Sequence, residues 1–149
     1  MSHDDTYAVN VEAAIYRDGE YLLIERAAGE DHAAGALSLV GGTVEGVDHE
    51  ISALEATVRR EIREEVDVSV TDLRYVQSNA FRSDTGQPCL NVVFLARYDE
   101  GKGVVNAPDE VAATHWLTPG AVETHADAPE WTAAFVALAD ERRQAAGWT

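Results

Sequence analysis

The sequence predicts an α/β fold in which a mixed β-sheet lies between helices. Three observations lead to this prediction: strand-like segments joined by a tight turn near the N-terminus, an amphipathic helix at 52–68, and a second helix at 130–146. Strands and helices combined in this way pack as layers, because each apolar face must be covered. The chain has no internal repeat, linker or low-complexity run, so we expect one domain over residues 1–149.

The strands are predicted from alternation and from turn residues. Residues 8–16 alternate apolar and polar side chains, which is typical of a strand with one buried face. Asp18-Gly19 is a hairpin turn signal, and residues 21–26 return as a more buried strand. A short strand at 37–40 leads into Gly41 and Gly42, which we expect to form a tight turn. Further strands are expected at 66–71, 73–81, 90–98 and 115–117, with turns at 85–88 and 118–120.

The central helix is predicted from apolar periodicity. Four apolar residues fall into one stripe at helical spacing: Leu54, Val58, Ile62 and Val66. Ser52 followed by Glu55 is a capping-box pattern, which predicts that the helix begins at Ser52. The C-terminal helix has Pro129 in its first turn and Gly147 as its cap. Its residues on one side are expected to be Trp131, Phe135, Leu138 and Arg142.

The central helix also carries a cluster of acids. Glu61, Glu64 and Glu65 are spaced i, i+3 and i+4, which places three carboxylates along one edge of the apolar stripe. Adjacent carboxylates repel one another, and hard divalent cations such as Mg²⁺ bind oxygen ligands of this kind. Arg60 lies four residues before Glu64 and pairs with it in this prediction. The alternative interpretation is a solvated acidic face.

At these residues the segment 41–68 resembles the Nudix box. The strong match is Arg60-Glu61-Ile62-Arg63-Glu64-Glu65, closed by the aliphatic Val68. The resemblance implies the αβα sandwich of the Nudix fold and a divalent cofactor, Mg²⁺ or Mn²⁺. It also implies hydrolysis of the diphosphate linkage of a nucleoside diphosphate joined to a moiety X, as in a nucleoside triphosphate or ADP-ribose. The moiety X is not identified by the sequence.

The resemblance implies roles for individual residues. The expected metal ligands are Glu61, Glu64, Glu65 and the backbone carbonyl of Gly41. The expected catalytic residues are Glu61, Glu64, Arg60 and Glu110. The general base is either an acid of the box helix or Glu110 in a late loop. Gly42 is expected beside the substrate, and Arg26 either meets substrate phosphate or forms a surface salt bridge.

Two positions depart from the family pattern. Ser52 stands where the first glutamate of the box is expected, which we interpret as an insertion in the loop 46–51, with Asp48 or Glu50 replacing the missing acid. Asp67 stands in place of a glycine and is expected to end the helix in a left-handed conformation. The altered first half of the box leaves an alternative function open, namely a Nudix-fold domain that binds nucleotide as a sensor without hydrolysing it.

Composition restricts the partners. The net charge of −16 opposes binding to nucleic acid or to an anionic membrane, so the expected partner is a small nucleotide. The polar N-terminus and the absence of long apolar runs predict a cytoplasmic protein, and the family resemblance allows a homodimer. The single lysine among so many acids indicates a halophile, whose fold KCl should stabilise, although a high-GC mesophile shares part of this bias. Cys89 is expected to pack in the core.

Overall fold

The computed structural model describes residues 6–30, 33–46 and 49–149. Over these residues the secondary structure runs, in chain order, as β1 Ala8–Arg17, β2 Glu20–Arg26, β3 Leu37–Ser38, β4 Val40–Thr43, α1 Ala53–Val66, β5 Val68–Arg82, β6 Pro88–Gly101, β7 Val111–Leu117, α2 Pro119–Thr124 and α3 Glu130–Ala145. Among the described residues, no helix combines the length and the apolar character needed to cross a membrane.

The strands form one mixed seven-stranded sheet. The order is β3-β2-β1-β6-β5, with β4 paired to β1 and β7 paired to β2. The pair β1–β6 is parallel, and the other pairs are antiparallel. The hairpin between β1 and β2 turns at Asp18 and Gly19, which have φ angles of 48° and 85°. Positive φ at both central residues matches the right-handed twist of the strands, so the predicted turn is confirmed.

Helices cover both faces of the sheet. On one face, Val58, Ile62 and Val66 of α1 pack in a core cluster with Val11 and Ala13 of β1. On the other face, a second cluster joins α3 to the sheet through Phe135, Val136 and Ala139, with Ala14 and Tyr16 from β1. Neighbouring strand residues alternate between these two clusters. The predicted fold class, a mixed sheet between helices, is confirmed. Cys89 is buried, as expected.

The ends of α1 combine a correct and an incorrect prediction. The helix begins at Ala53 with Ser52 at the N-cap position, so it starts after the loop 46–51 as the insertion hypothesis requires. Ser52 has a φ of 58° and its side chain makes no cap hydrogen bond, so the capping box is wrong. Asp67 ends the helix with a φ of 57° while its N–H donates to the Arg63 carbonyl, which confirms the left-handed end.

Gly41 and Gly42 do not form the predicted tight turn. Both lie inside β4, where they pair with Glu12 and Val11 of β1. A Cβ atom on Gly41 would overlap the Val11 carbonyl oxygen and the backbone of Glu12. The glycine is therefore explained by the close approach of two strands rather than by a turn.

Three further predictions are corrected. Residues 118–120 are not a turn by themselves: Pro119 begins α2, and the Thr118 hydroxyl accepts a hydrogen bond from the Ala121 N–H at 3.2 Å. The extended segments after α1 are one strand, β5, whose pairing shifts near Asp72, where φ is 51°. In α3, Phe135 is buried, but Trp131 and Leu138 are 50% and 41% exposed. The buried side of α3 instead contains Thr132, Phe135, Val136 and Ala139.

Candidate active site

Three carboxylates from two distant segments meet beside β4. Glu61 and Glu65 come from α1, and Glu110 comes from the loop before β7. Each offers a carboxylate oxygen, and these oxygens lie within 4.8 Å of one another. We call these three residues the acidic group. The loop is held in place by main-chain hydrogen bonds, because the Ala27 N–H donates to the Glu110 carbonyl at 2.9 Å and Val111 pairs with Arg26.

Glu64 lies outside the acidic group. Its side chain is 58% exposed, and the Arg60 Nε atom lies 3.9 Å from its Oε1. Arg60 also approaches Glu61, at 4.0 Å, and its own side chain is 44% exposed. At about 100° per residue, Glu61 and Glu65 project about 40° apart, whereas Glu64 projects about 160° from the buried Ile62. The structure therefore brings together two of the three helix acids that the sequence predicts, with Glu110 as the third carboxylate.

The glycine pair lies directly behind these acids. The Gly41 N–H donates to Glu65 Oε1 at 3.3 Å, so in this structure its amide contacts the acidic group. A Cβ atom on Gly42 would lie 2.6 Å from the Glu61 Cδ atom. Only glycine allows the Glu61 carboxylate to approach the strand this closely, which is the physical reason for glycine at position 42.

Proton affinity is strongly changed in the acidic group. Burial, together with the charges of Glu64 and Glu110, raises the pKa of Glu61 to about 7, although Arg60 acts in the opposite direction. Burial and the charges of Glu110 and Glu61 raise the pKa of Glu65 to about 9, while the Gly41 N–H lowers it. A divalent cation would reverse these effects, since it stabilises the charged form of every carboxylate that binds it.

The acidic group lines a cavity of about 720 Å³. This volume lies within the usual range for small-molecule sites. The cavity also contacts the glycine pair, Arg26, the polar residues of β1, β5 and β6, and three aromatic side chains: Phe81, Trp131 and Phe135. The exposed Trp131 that departs from the predicted α3 packing is thus part of the cavity wall.

The position of Arg26 is compatible with both of its predicted roles, binding of substrate phosphate and a salt bridge. Its guanidinium Nη2 atom is 3.4 Å from Glu30 Oε2, and both residues line the cavity. Of the candidate replacements for the missing box glutamate, Glu50 is exposed and outside the acidic group, and Asp48 lies outside the described residues. Glu45 lines the cavity, and its charge contributes to the raised pKa of Glu61. No pattern in the sequence points to Glu45, which lies three residues after Gly42.

A second set of polar residues, which no sequence pattern indicated, is centred on Glu12, Asn79 and Asn91 in the cavity lining. Asn91 Nδ2 donates to Glu12 Oε1 at 3.1 Å and to Asn79 Oδ1 at 3.3 Å. Gln77 Nε2 donates to the same Asn79 oxygen at 2.8 Å. Burial raises the pKa of Glu12, while the Asn91 hydrogen bond and the charge of Arg26 lower it. Alternation in β1 identified Glu12 only as a polar-face residue, because the sequence does not show what covers that face.

The fold and the site together define the class of this protein. Residues 6–139 match the NUDIX domain family, so the chain belongs to the Nudix family. The predicted family is confirmed by this match.

Particular relatives support this placement. The chain is 34% identical over 103 residues to the NAD-capped RNA hydrolase NudC of Escherichia coli O1:K1 / APEC, an alignment that covers 69% of this chain and 36% of that protein. The aligned part therefore spans little more than a third of the relative's length. A MutT NUDIX hydrolase from Burkholderia pseudomallei has a TM-score of 0.75 and 26% identity, covering 89% of this chain and 98% of that one. The MutT protein from Methanosarcina mazei Go1 shows the same fold, with a TM-score of 0.76 and 23% identity, covering 96% of this chain and 99% of that one.

Proposed function

We propose that this chain hydrolyses the diphosphate linkage of a nucleoside diphosphate joined to another moiety, with Mg²⁺ or Mn²⁺ as cofactor. The observation that supports the proposal is the acidic group, three carboxylates from two segments packed against a glycine pair on a nucleotide-sized cavity. Family membership supplies the reaction class, and the donor set supplies the argument for the metal.

The residues present fit a hard divalent cation. The donors in the acidic group are all carboxylate oxygens, which Mg²⁺ and Mn²⁺ prefer over softer ligands. Burial, together with the charges of the neighbouring carboxylates, raises the pKa values of Glu61 and Glu65, and a bound cation would offset both effects. When bound, the ion would neutralise diphosphate charge and lower the pKa of water at the site. Mg²⁺ usually binds proteins through one or two carboxylates and leaves positions for phosphate and water.

We assign different tasks to the acids. Glu61 and Glu65, the more buried members, would hold the ion, with the Gly41 backbone close to Glu65. Glu110 is the exposed member and would act as the general base. In the reaction, a water oxygen bonds to phosphorus as the bridging P–O bond breaks, and Glu110 takes the proton of the water. Glu64 stays a predicted ligand, and its outward position would require it to turn inwards before it binds the ion.

The rest of the cavity suits a nucleotide. The guanidinium of Arg26 would bind phosphate oxygens, for which its planar donors are well shaped. Trp131 and Phe81 offer ring faces on which a nucleobase would stack, a contact that tolerates different bases.

The relatives suggest more than one form of substrate. The NudC relative is named for NAD-capped RNA, whereas the net charge of −16 on this chain opposes an RNA strand. We therefore propose a small nucleotide as the substrate, with a nucleoside triphosphate, ADP-ribose or a dinucleotide as the forms to test first. That this chain binds no nucleic acid stays a prediction.

A hydrolysis screen tests the proposal. The protein is incubated with Mg²⁺ or Mn²⁺ and with nucleoside triphosphates, ADP-ribose, dinucleotides, nucleotide sugars and an NAD-capped oligoribonucleotide, in dilute buffer and in molar KCl. We expect nucleoside monophosphate or pyrophosphate from at least one small nucleotide, with chelator abolishing the product. Binding of nucleotide without any product would instead support the sensor alternative. Hydrolysis of the capped oligoribonucleotide alone would overturn the proposed substrate class.

A further inference from the structure

We propose that Glu12 selects the nucleoside part of the substrate by accepting hydrogen bonds from its N–H or O–H groups. The inference rests on the proposed function, because it takes the acidic group as the place of the diphosphate. It goes further in assigning a specificity-determining residue outside the box helix, on the central strand of the sheet.

The position of Glu12 follows from strand alternation. Val11 and Ala13 belong to the core cluster on the α1 side, and Ala14 belongs to the cluster on the α3 side. Glu12 therefore faces the α3 side, where it lines the cavity with Asn10. Its register partner on β4 is Gly41, whose N–H contacts the acidic group. Glu12 is thus adjacent to the proposed diphosphate position while pointing away from α1.

A row of amides holds the Glu12 carboxylate. We call Gln77, Asn79 and Asn91 the amide row, and they lie on two adjacent strands with Asn79 and Asn91 as register partners. Asn91 donates to Glu12, and both Asn91 and Gln77 donate to the Asn79 oxygen. The hydrogen bond from Asn91 to Glu12 fixes which end of the Asn91 amide faces the carboxyl group, and this in turn fixes Asn79.

The direction of these hydrogen bonds determines what a ligand meets. The two N–H groups of Asn91 are directed to Glu12 and Asn79, so the Asn91 group that remains for a ligand is its oxygen. Glu12 lines the same cavity, and its carboxyl oxygens are acceptors as well. Asn91 is only 5% exposed, so this pair is held rigidly from behind. A site built from fixed acceptors favours ligands that carry donors, and it disfavours analogues in which a donor is missing.

Glu12 differs from the metal-binding acids in its surroundings. Its carboxylate is not part of the acidic group. Burial is the largest effect on Glu12 and raises its pKa, while the Asn91 N–H and the positive charge of Arg26 lower it. Glu12 thus has a hydrogen-bond donor of its own on the protein, and its carboxyl oxygens remain acceptors for a donor group on the nucleoside.

Two sources of donor share this chemistry, namely the ribose hydroxyls and the N–H groups of the base. The experiment compares nucleotides that differ in a single donor: GTP with dGTP for the 2′-hydroxyl, GTP with ITP for the 2-amino group, and ATP with purine riboside triphosphate for the 6-amino group. For each pair, kcat/KM is measured for wild type and for Glu12→Gln. This variant keeps the shape and an oxygen for Asn91 but replaces the other acceptor by a donor.

We expect wild type to prefer the donor-bearing member of at least one pair by about 10-fold or more, and Glu12→Gln to lose that preference. If the preference between GTP and dGTP is lost, the donor is the ribose 2′-hydroxyl. If the preference within GTP and ITP, or within ATP and purine riboside triphosphate, is lost, the donor belongs to the base. Glu100→Gln is the matched control, because Glu100 is exposed near the other end of β6, outside the cavity, and the charge change is the same. The control should keep the wild-type ratios.

The proposal is overturned if the kcat/KM ratio within each nucleotide pair is the same in wild type and in Glu12→Gln. This holds even if all rates fall together, because a uniform loss indicates only that Glu12 positions Arg26. A wild type with no preference in any pair would overturn it as well. If the protein hydrolyses none of these nucleotides, the proposed function fails, and dissociation constants for the same pairs still test Glu12 by the same ratios. Should Glu12→Gln not fold, Glu12→Asp keeps the charge, withdraws the acceptors by one methylene and should lower the same preference.

Discussion

The cavity contains two kinds of buried carboxyl group, and they differ in their neighbours. In the acidic group, burial and the neighbouring carboxylates together raise the pKa of Glu61 to about 7 and that of Glu65 to about 9. Where β1 and β6 line the cavity, Glu12 lies next to the Asn91 N–H and near the charge of Arg26. Burial raises the pKa of Glu12, and these two neighbours lower it. The two places are adjacent, since Gly41 is the register partner of Glu12 and its N–H donates to Glu65.

This difference indicates what each place binds. Like charges that crowd a buried position are stable as carboxylates only if a cation arrives from outside. Glu12 instead has an N–H donor and a positive charge beside it, which offset part of the effect of burial, and its remaining acceptor suits a neutral donor. The part of the cavity at the acidic group is therefore suited to a metal-bound diphosphate, and the part at Glu12 is suited to a nucleoside.

The largest effect that would test this comparison is loss of the metal. Glu65→Gln should lower the affinity for Mn²⁺ by at least about 100-fold and reduce turnover by orders of magnitude, because even a residue behind a metal ligand is worth 10–100-fold. Metal binding is measured by calorimetry or by Mn²⁺ paramagnetic resonance without substrate, and turnover is measured with the best nucleotide.

Glu64→Gln separates the predicted ligands from one another. Since Glu64 is turned outwards beside Arg60, its substitution should leave Mn²⁺ affinity without substrate within a few-fold of wild type. Turnover can still fall if Glu64 turns inwards when substrate binds. Equal losses of metal affinity in Glu64→Gln and Glu65→Gln would show that the outward position of Glu64 does not persist when the ion binds.

An intermediate effect on activity is expected from Gly42→Ala, at the point where β4 contacts the acidic group. A Cβ atom in Gly42→Ala would lie 2.6 Å from Glu61 Cδ and must displace that carboxylate. A displacement of about 1 Å near the reacting groups costs about 100-fold in rate, while the free energy of unfolding should change little, because the displaced atoms are the end of the flexible Glu61 side chain. The measurements are kcat/KM and thermal unfolding with and without Mn²⁺.

Gly29→Ala is the control for this substitution. Among the described residues, nothing lies within 4 Å of a Cβ added at Gly29, so the activity and the stability of this variant should stay near wild type. If Gly42→Ala behaves like Gly29→Ala, then the close approach of Glu61 to β4 is not needed for the reaction.

Local patterns explain why much of the fold could be predicted. Alternation identified β1, the Asp18-Gly19 turn joined it to β2, and the stripe of Val58, Ile62 and Val66 identified α1, because these signals involve neighbouring residues only. The glycine pair was misread as a turn, since a glycine required by close strand approach and one required by positive φ look the same in a sequence.

The site could be predicted only in part, for related reasons. Helix geometry alone separates Glu64 from Glu61 and Glu65, and this signal was available in the spacing relative to Ile62. In contrast, Glu110 reaches the acidic group through the pairing of β2 with β7, a contact between distant segments that only the family resemblance indicated. Glu12 was missed because its burial depends on α3 and on the strands beside it, none of which is local to β1.

The smallest predicted effect is the dependence of metal-free stability on pH. The pKa of Glu61 is raised to about 7 and that of Glu65 to about 9, from an ordinary value of 4.5, so the folded protein holds these protons more tightly than the unfolded chain does. Their contribution to stability is therefore fully present below about pH 4.5 and is lost as the pH rises through about 7 and then about 9. With chelator present, the Tm should fall by roughly 5 °C more in wild type than in Glu65→Gln between about pH 5 and about pH 9.

Glu65→Gln is the reference because it removes one titrating group and leaves the rest of the acidic surface unchanged. Saturating Mg²⁺ should flatten the wild-type curve, since the ion replaces the protons and binds more tightly as the acids ionise. Parallel curves for wild type and Glu65→Gln in chelator would contradict the crowding of charge in the acidic group, and with it the contrast between that group and Glu12.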